Sequence, residues 1–481
     1  MTAFDLLVVL PLIVLVSWAT LLVLADLFIP EDRKVWTVLL AALGLLVTLV
    51  ILIVQVRPQT VAFNGMVVVD GFALFLSALF LGSGLLGIAL SYDYLKRLGI
   101  DRSEYYILLL YSISGMMLMA IAADLIVVFL ALELLSIPLY VLAGFARPRP
   151  DSEEAALKYF LLGAFAGGFV VYGVALVFGA TGTTSLEQVV AAVKIGSANL
   201  TLLGTGAALI LIGLGFKVAA VPFHMWTPDV YQGAPSTVTA FMAIGAKAGG
   251  FAALMRVFVT AFPSLVADLT PILWALAALT MILGNVVAIA QGNIKRLLAY
   301  SSIAHAGYIL MAIVSYGNGK VAPDAVASAL FYLLGYGLAN FGAWAVVIAL
   351  ETVEQKGLAL DDYAGLGRKY PGLAAAMVIF MLSFTGVPPT LGFVGKFYLF
   401  RTAIEGGFIG LALIGVLTSL VSAYYYLRVV VIMYMRDGEP QVHSEPWLNL
   451  TAGGAAVATV VLSIFAAPIF AWASQAALRL F

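Results

Sequence analysis

The sequence contains no cysteine and little charge. Of its 481 residues three are histidine, and only 10% are Asp, Glu, Lys or Arg. A chain without cysteine cannot ligate an iron–sulfur cluster or form a disulfide, and so few histidines argue against a haem or a multi-histidine metal site. The net charge of −1 gives no reason to expect nucleic acid as a partner. Any redox cofactor that works with this chain is therefore expected in another subunit.

Hydrophobic residues take the place of the missing charge. They make up 63% of the chain, against about 45–50% in soluble domains. Apolar runs of about 20 residues recur from end to end, each long enough to cross a hydrocarbon core of about 30 Å. The pattern predicts an all-α, polytopic protein of the lipid bilayer with about 14 spans. The predicted spans are 4–27, 35–56, 71–91, 105–122, 124–145, 154–179, 200–224, 234–261, 270–290, 297–315, 324–350, 372–402, 407–434 and 449–476.

Basic residues are distributed unevenly between the two sides of these spans. Thirteen fall in loops on one side and five on the other, among them Arg57 and Arg479. Because cytoplasmic loops carry the excess of Lys and Arg, the first side is predicted to be cytoplasmic, with both termini on the other side of the inner membrane. The first apolar stretch lacks a basic n-region and a cleavage site, so it is predicted to be a span rather than a signal peptide.

An internal repeat is visible at an offset of 172 residues. The Leu-Leu-Gly of 161–163 falls on that of 333–335, and Glu133 falls on His305. This offset spans five helices, an odd number, which predicts two inverted five-helix repeats of the kind found in transporters. The predicted divisions are N-terminal helices 1–104, a first repeat 105–261, a second repeat 270–434 and a C-terminal helix 449–481.

Several charged residues lie inside spans, where each costs about 2.5–3.5 kcal/mol at the bilayer centre. Glu133 follows Asp124 by nine residues, or roughly 13 Å along a helix, and is therefore near the middle of the membrane. One interpretation is a structural ion pair that fixes helix packing. The other is a proton carrier, or a group whose charge adjusts the pKa of a neighbour.

Two buried lysines lie beside proline breaks. Pro222 follows Lys217 by five residues, and Pro388 and Pro389 precede Lys396. Proline removes a helical hydrogen bond, so the seventh and twelfth spans are predicted to be broken. Irregular backbone at membrane depth is tolerated where it lines a cavity or packs on protein. For Lys217 the alternative is a side chain whose ammonium reaches the interface.

The other ionisable residues are harder to assign. Lys247 is central in its span, too deep to reach either interface, whereas Arg256 lies near the end of the same span, where reaching the interface is favoured. Lys158 is near the start of its span, and either explanation fits. His305 can relay protons or serve as a hydrogen-bonded structural residue. His224 is placed at or past the membrane edge.

Four segments carrying these residues resemble a known family. They are FKVAAVPFHMWTPDVYQGAPSTVTAFMAIGAKAGGFAAL, LSFTGVPPTLGFVGKFYLF, SSIAHAGY and LELLSIPLYVLAGF. They are similar to the antiporter-like membrane subunits of NADH–quinone oxidoreductase (respiratory complex I) and of multi-subunit cation/proton antiporters, and the resemblance covers nearly the whole chain. The lysine of GFVGKF argues against an M-type subunit. The length, without a long amphipathic C-terminal helix, argues against the L type and against the large antiporter subunit. The segments themselves resemble the N type.

The resemblance implies a role for each buried residue. It implies that Glu133 pairs with Lys217, that Lys247 links two half-channels and that Lys396 is the exit-side element. Lys158 also matches a family position.

His305 matches a family position too. At the 172 offset, His305 stands where the first repeat has Glu133, so the second half lacks a carboxylate of its own there.

The implied function is proton conduction through buried Glu, Lys and His residues, in a complex with other membrane and peripheral subunits. FMN, iron–sulfur clusters and quinone are expected in those partners, which carry electrons from NADH. The sequence shows no nucleotide-binding loop, metal cluster or nucleophile–base pair, so the driving energy must come from a partner or an ion gradient. Two alternatives remain: a cation/proton antiporter subunit without redox coupling, and a purely structural scaffold.

Overall fold

A computed structural model describes residues 2–55, 59–262, 265–353 and 356–476. Arg57 and Arg479, both used in the orientation prediction, lie outside the described residues, as do 477–481 of the predicted C-terminal segment.

The described chain is helical along most of its length. The α-helices are α1 (Ala3–Val8), α2 (Leu10–Asp26), α3 (Val35–Val54), α4 (Gly71–Arg97), α5 (Glu104–Ile121), α6 (Leu125–Ala143), α7 (Pro150–Thr181), α8 (Leu186–Lys194), α9 (Leu200–Val218), α10 (Trp226–Gly233), α11 (Ser236–Phe241), α12 (Lys247–Leu254), α13 (Val266–Ile289), α14 (Ile294–Tyr316), α15 (Ala322–Leu350), α16 (Leu366–Lys369), α17 (Pro371–Thr385), α18 (Leu391–Glu405), α19 (Ile409–Met435), α20 (Pro446–Ile464) and α21 (Ala466–Gln475). Short 3₁₀ turns cover Glu31–Arg33, Phe63–Gly65 and Leu360–Tyr363. Two strands, β1 (Thr60–Ala62) and β2 (Val67–Val69), form an antiparallel hairpin that pairs Thr60 with Val69.

The predicted spans correspond to these helices. Within the described residues, 12 helical stretches are long and apolar enough to cross a membrane. They account for every predicted span except the first and the twelfth, which are built from the shorter helices α2, α17 and α18. The prediction of an all-α, multi-pass membrane protein is confirmed.

Both predicted helix breaks are present, and they have the same construction. Helix α9 ends with the residue after Lys217, and Ala219 then adopts a left-handed conformation at φ 62° ahead of Pro222. Helix α17 ends at Thr385, the next residue Gly386 has a φ of 88°, and α18 brings Lys396 back towards that break. A left-handed residue ends a helix because it turns the chain out of the helical path.

The eighth span has an irregularity that the sequence analysis did not predict. Two π-helical segments, Met242–Ala246 and Met255–Val259, flank the α12 segment that begins at Lys247. Such wide turns are rare and concentrate at functional sites. Here they interrupt the regular helix on both sides of a buried lysine.

The core lies around the eighth, tenth and eleventh spans. Ser236–Val259, α14 and α15 are enclosed almost entirely by protein, whereas fewer than half of the residues in the most apolar segments of α3, α7, α19 and α20 are buried. Small residues let the outer helices approach closely: a Cβ on Gly173 of α7 would lie 2.7 Å from the carbonyl oxygen of Gly206 on α9. Polar groups on the central helices are therefore shielded from lipid.

Candidate proton pathway

Lys217 is held by hydroxyl groups from two neighbouring helices. It lies in the last turn of α9 and is 4% exposed. Its Nζ donates hydrogen bonds to Ser136 Oγ on α6 at 2.7 Å and to Tyr159 Oη on α7 at 3.1 Å. Both hydroxyl groups can accept a proton and donate one. The ammonium group is therefore hydrogen-bonded to neutral groups and not paired with a carboxylate.

Glu133 is connected to Lys217 indirectly. The two side chains interact electrostatically, but the Lys217 ammonium is bonded to Ser136, which lies one helical turn after Glu133. Gly167 of α7 makes room for the carboxylate, since a Cβ there would lie 2.9 Å from Glu133 Oε1. Glu133 is only half-buried. Among the described residues no hydrogen bond joins Glu133 to Lys217 or to Ser136, whose hydroxyl donates to the carbonyl oxygen of Leu132 at 2.5 Å. The two charged groups therefore interact through space in this structure.

Lys247 joins the two halves of the chain. It is 2% exposed, and its Nζ donates to both the carbonyl oxygen (2.7 Å) and the hydroxyl (2.5 Å) of Ser302 on α14. Tyr231 lies near the same hydroxyl. On the other side, a Cβ on Gly250, one turn after Lys247, would lie 3.2 Å from Cγ of Lys217. The two lysines are thus on adjoining faces of neighbouring helices.

His305 occupies the next turn of α14. Its Nδ1 lies 2.5 Å from the Tyr332 hydroxyl and its Nε2 lies 3.1 Å from the Tyr426 hydroxyl, and the ring stacks on Tyr336 at 4.5 Å. In a neutral imidazole one nitrogen donates and the other accepts. A ring bonded on both sides can therefore take a proton at one nitrogen and release one at the other.

Lys396 is hydrogen-bonded to the end of the interrupted helix. Its Nζ donates to the carbonyl oxygen of Thr385 and to the hydroxyl of Ser419, each at 3.0 Å, and lies 4.6 Å from the centre of the Tyr308 ring. The last carbonyls of a helix have no helical partner, so the break at Gly386 supplies an acceptor for the ammonium. Ser419 in turn donates to Tyr308 at 3.1 Å.

These groups form a line through the protein interior. His305 interacts electrostatically with both Lys247 and Lys396. In the order of these contacts the ionisable groups are Glu133, Lys217, Lys247, His305 and Lys396. The hydrogen bonds of the last four go to serine and tyrosine hydroxyls and to backbone carbonyls. The five ionisable residues of this line were candidates from the sequence, whereas the serine and tyrosine hydroxyls were not. The one available signal was the presence of tyrosine and serine in spans otherwise rich in Leu, Gly and Ala.

Lys158 lies outside this line. Its Nζ is bonded to Asp229 at 2.8 Å and to Glu154 at 2.7 Å, its side chain is 41% exposed, and Arg296 also binds Asp229 at 2.8 Å. The cluster lines a polar cleft of about 270 Å³. Burial acts most strongly on the pKa of Asp229 and would raise it, but the hydrogen bonds from Lys158 and Arg296 outweigh burial and hold that pKa below its usual value.

His224 is also apart from the line. It lies in the turn between α9 and α10, and its buried Nδ1 has no side-chain hydrogen-bond partner among the described residues. No hydrogen bond within the described part of the chain joins it to Lys217, Lys247 or Lys396.

We expect Lys158→Met to lower turnover by less than about twofold, because exposed ion pairs contribute only about 0.2–1 kcal/mol. The measurement is proton-coupled turnover in membranes, with Lys194→Met on the exposed end of α8 as the control. A loss as large as that caused by removing Lys217 would contradict the placement of Lys158 outside the line.

Comparison with known proteins identifies the family. A model described as NADH:quinone oxidoreductase/Mrp antiporter, transmembrane, matches residues 122–422, more than half of the chain and a segment that contains all seven candidate residues. The chain belongs to this family. Among its relatives, the NADH-quinone oxidoreductase subunit N of Chloroflexus aggregans is 49% identical over 473 residues, which is 97% of this chain and 96% of the relative.

Solved structures show the same fold in more than one kind of complex. A chain of respiratory complex I from Thermus thermophilus matches with a TM-score of 0.82 and 37% identity, covering 96% of this chain and 99% of that one. A chain of the Mrp complex from Dietzia sp. matches with a TM-score of 0.85 but 22% identity, covering 99% and 97%. The same fold therefore occurs in a chain of respiratory complex I and in a chain of the Mrp complex.

Proposed function

We propose that this chain is the N-type membrane subunit of a proton-translocating NADH–quinone oxidoreductase. The observation that supports it is the line of buried lysines, each bonded to hydroxyl or carbonyl oxygens rather than to a fixed carboxylate. An ammonium group in such a setting can lose its proton to a neighbouring acceptor and regain one from the other side. Lysines neutralised by ion pairs would be poorer carriers, because a close anion stabilises the charged form.

Protons would move in short steps between neighbouring groups. A proton on Lys217 passes towards Lys247, then across His305 to Lys396, with hydroxyls accepting at one oxygen lone pair and donating from O–H. The charge of Glu133 favours the protonated form of Lys217 from a distance. A change in that charge therefore changes the readiness of Lys217 to give up its proton.

The remaining parts of the complex follow from the same proposal. FMN, iron–sulfur clusters and quinone are held by partner subunits, which carry electrons from NADH. The chain lies in the inner membrane with both termini on the non-cytoplasmic side, consistent with the distribution of basic residues. Residues 105–261 and 270–434 act as two inverted repeats that meet at the contact between Lys247 and Ser302.

A cation/proton antiporter subunit without redox coupling is the second candidate, favoured by the similar fold of the Mrp complex chain. Purification of the native complex separates the two. Co-purifying NADH- and quinone-binding subunits support the first proposal, whereas further antiporter subunits alone overturn it.

The proton pathway is tested by Lys217→Ala and Glu133→Ala in the assembled complex. We expect quinone-linked turnover and proton pumping to fall together, by about threefold or more, because removal of a positioned proton-transfer group slows the transfer step. The measurements are NADH-driven quinone reduction and proton uptake in sealed membrane vesicles.

The control for these variants is Lys194→Ala, which removes an exposed lysine from α8. Assembly is checked by the amount of subunit recovered and by NADH oxidation with an artificial acceptor. Normal pumping in both Lys217→Ala and Glu133→Ala, with normal assembly, would refute the roles assigned to them.

A further inference from the structure

A second group of buried polar side chains lies at one end of the helices, apart from the line of lysines. It is enclosed by the ends of α4, α11, α14 and α15 and by the turn Leu360–Tyr363. In the proposed orientation this is the cytoplasmic end. The group consists of Tyr94, Ser236, Lys295, Glu351 and Tyr363, all nine-tenths buried or more.

Of these five residues, Glu351 is the hardest to explain by a structural role. It follows the last residue of α15, is 2% exposed, and its Oε2 has no hydrogen-bond partner among the described residues. The carbonyl end of a helix is its negative end, where a carboxylate is disfavoured. A buried carboxylate oxygen without a partner also loses its hydration. Helix capping therefore does not account for this residue.

The neighbours of Glu351 are themselves proton-bearing groups. Tyr94, Tyr363 and Lys295 each interact electrostatically with its carboxylate. The Tyr363 hydroxyl also lacks a hydrogen-bond partner among the described residues. The Lys295 ammonium donates to the carbonyl oxygen of Ala234 at 2.7 Å. The carboxylate thus faces one lysine and two phenols inside the protein.

On its outer side Glu351 adjoins solvent. The residues on either side of it, Leu350 and Thr352, line an open cleft of about 640 Å³, whose other walls include Asp361 and His443. The chain turns sharply here: a Cβ on Gly357 would lie 1.9 Å from the carbonyl oxygen of Leu350. Gly357 thus lies against the end of α15, and the two neighbours of Glu351 are in contact with the cleft.

On its inner side the cluster points towards Lys247. Lys295 and Ser302 are seven residues apart on α14, which puts them on one face about 10 Å apart. The Ser302 hydroxyl accepts from Lys247. Tyr231, on the last turn of α10 before Ala234, interacts with the same hydroxyl and so fills part of the space between Lys295 and Ser302.

We propose that Glu351 is the proton-accepting group of a cytoplasmic entrance to Lys247, and that Lys295 is the next carrier inward. A proton from water in the cleft forms an O–H bond with the Glu351 carboxylate. The carboxyl group then gives that proton to neutral Lys295, which becomes an ammonium, and the carboxylate is restored for the next proton. This inference rests on the proposed function, since it supplies protons to the line described above.

The test is Glu351→Gln in the assembled complex, compared with Glu351→Asp. Glutamine keeps the shape but cannot carry the proton, so we expect about a fivefold loss of quinone-linked turnover and pumping. Aspartate keeps the carboxyl group, and we expect it to retain at least about half of the native rate. A packing role predicts the reverse order, because aspartate leaves a void and glutamine does not.

The matched control is Asp361→Asn, which removes a carboxylate from the same cleft. That carboxylate is exposed and paired with Arg436, so we expect native turnover. Native turnover in Glu351→Gln would overturn the proposal that protons enter through Glu351. Turnover of Lys247→Met in the same membranes tests the proposed proton pathway independently of Glu351. If turnover falls in Lys247→Met but not in Glu351→Gln, the proposed entrance is rejected and the proposed pathway along the lysines stands.

If Glu351→Gln fails to assemble, the solvent isotope effect on turnover of Glu351→Asp tests the proposal instead. A shorter side chain lengthens the transfer distance, so proton entry becomes more limiting and the solvent isotope effect on turnover should exceed that of the native complex. An unchanged isotope effect overturns the proposal.

Discussion

Lys247→Met is expected to cause the largest loss of activity, about tenfold or more in both quinone-linked turnover and proton pumping. The buried line passes from one half of the chain to the other through the contact between Lys247 and Ser302. Methionine has similar length but no exchangeable proton, and a positioned proton-transfer group commonly contributes about 10²–10⁴-fold to the rate of its step. The measurement is NADH-driven quinone reduction and proton uptake in vesicles that contain the assembled complex.

Lys247→Arg distinguishes a proton carrier from a fixed charge. Arginine keeps the positive charge but does not deprotonate in proteins, so a carrier role predicts that it is nearly as damaging as methionine. Recovery of native turnover with arginine would contradict that role. The matched control is Lys34→Met, which removes a partly exposed lysine paired with Asp26, and we expect it to leave turnover unchanged.

Much of the fold could be predicted because membrane burial gives a strong and simple signal. Long apolar runs identified the spans, and the prolines identified both breaks beside Lys217 and Lys396. The π-helical turns around Lys247 could not be predicted, since the segments Met242–Ala246 and Met255–Val259 contain no proline or other residue that requires a wide turn. Their presence depends on packing against the surrounding helices rather than on local preference.

The candidate site was predicted in part, for a related reason. Depth in the membrane selects Glu133 and Lys247 from the sequence alone, because an ionisable group there must face protein or water. Depth does not say which hydroxyl an ammonium meets. The contact of Lys217 with Ser136 and the exposed ion pairs of Lys158 follow from how neighbouring helices are rotated about their axes.

Arg256 shows the same limit of sequence reasoning. Its place near the end of a span favoured a side chain that reaches the interface, but it is 2% exposed and buried against other helices. Its guanidinium makes two hydrogen bonds of 2.7 Å to the carboxylate of Asp70 and further bonds to the carbonyl oxygen of Ala120. The expectation for Arg256 was therefore wrong, because a partner 186 residues away in sequence satisfies the charge inside the protein.

Asp70→Ala is accordingly expected to cause the largest loss of stability, about 3–5 kcal/mol, because it leaves a buried guanidinium without its anion. It also removes the side chain that accepts a hydrogen bond from the Ala73 backbone at the start of α4, which adds to the loss. The measurement is the thermal unfolding midpoint of the purified complex and the fraction of this subunit retained. Glu405→Ala is the control, since it breaks the exposed pair with Arg401, which should contribute less than about 1 kcal/mol. Equal unfolding midpoints for the two variants would contradict a stabilising role for the buried pair. A lowered midpoint in Asp70→Ala, with native turnover per assembled complex, would show that this charge pair stabilises the packing and does not transfer protons.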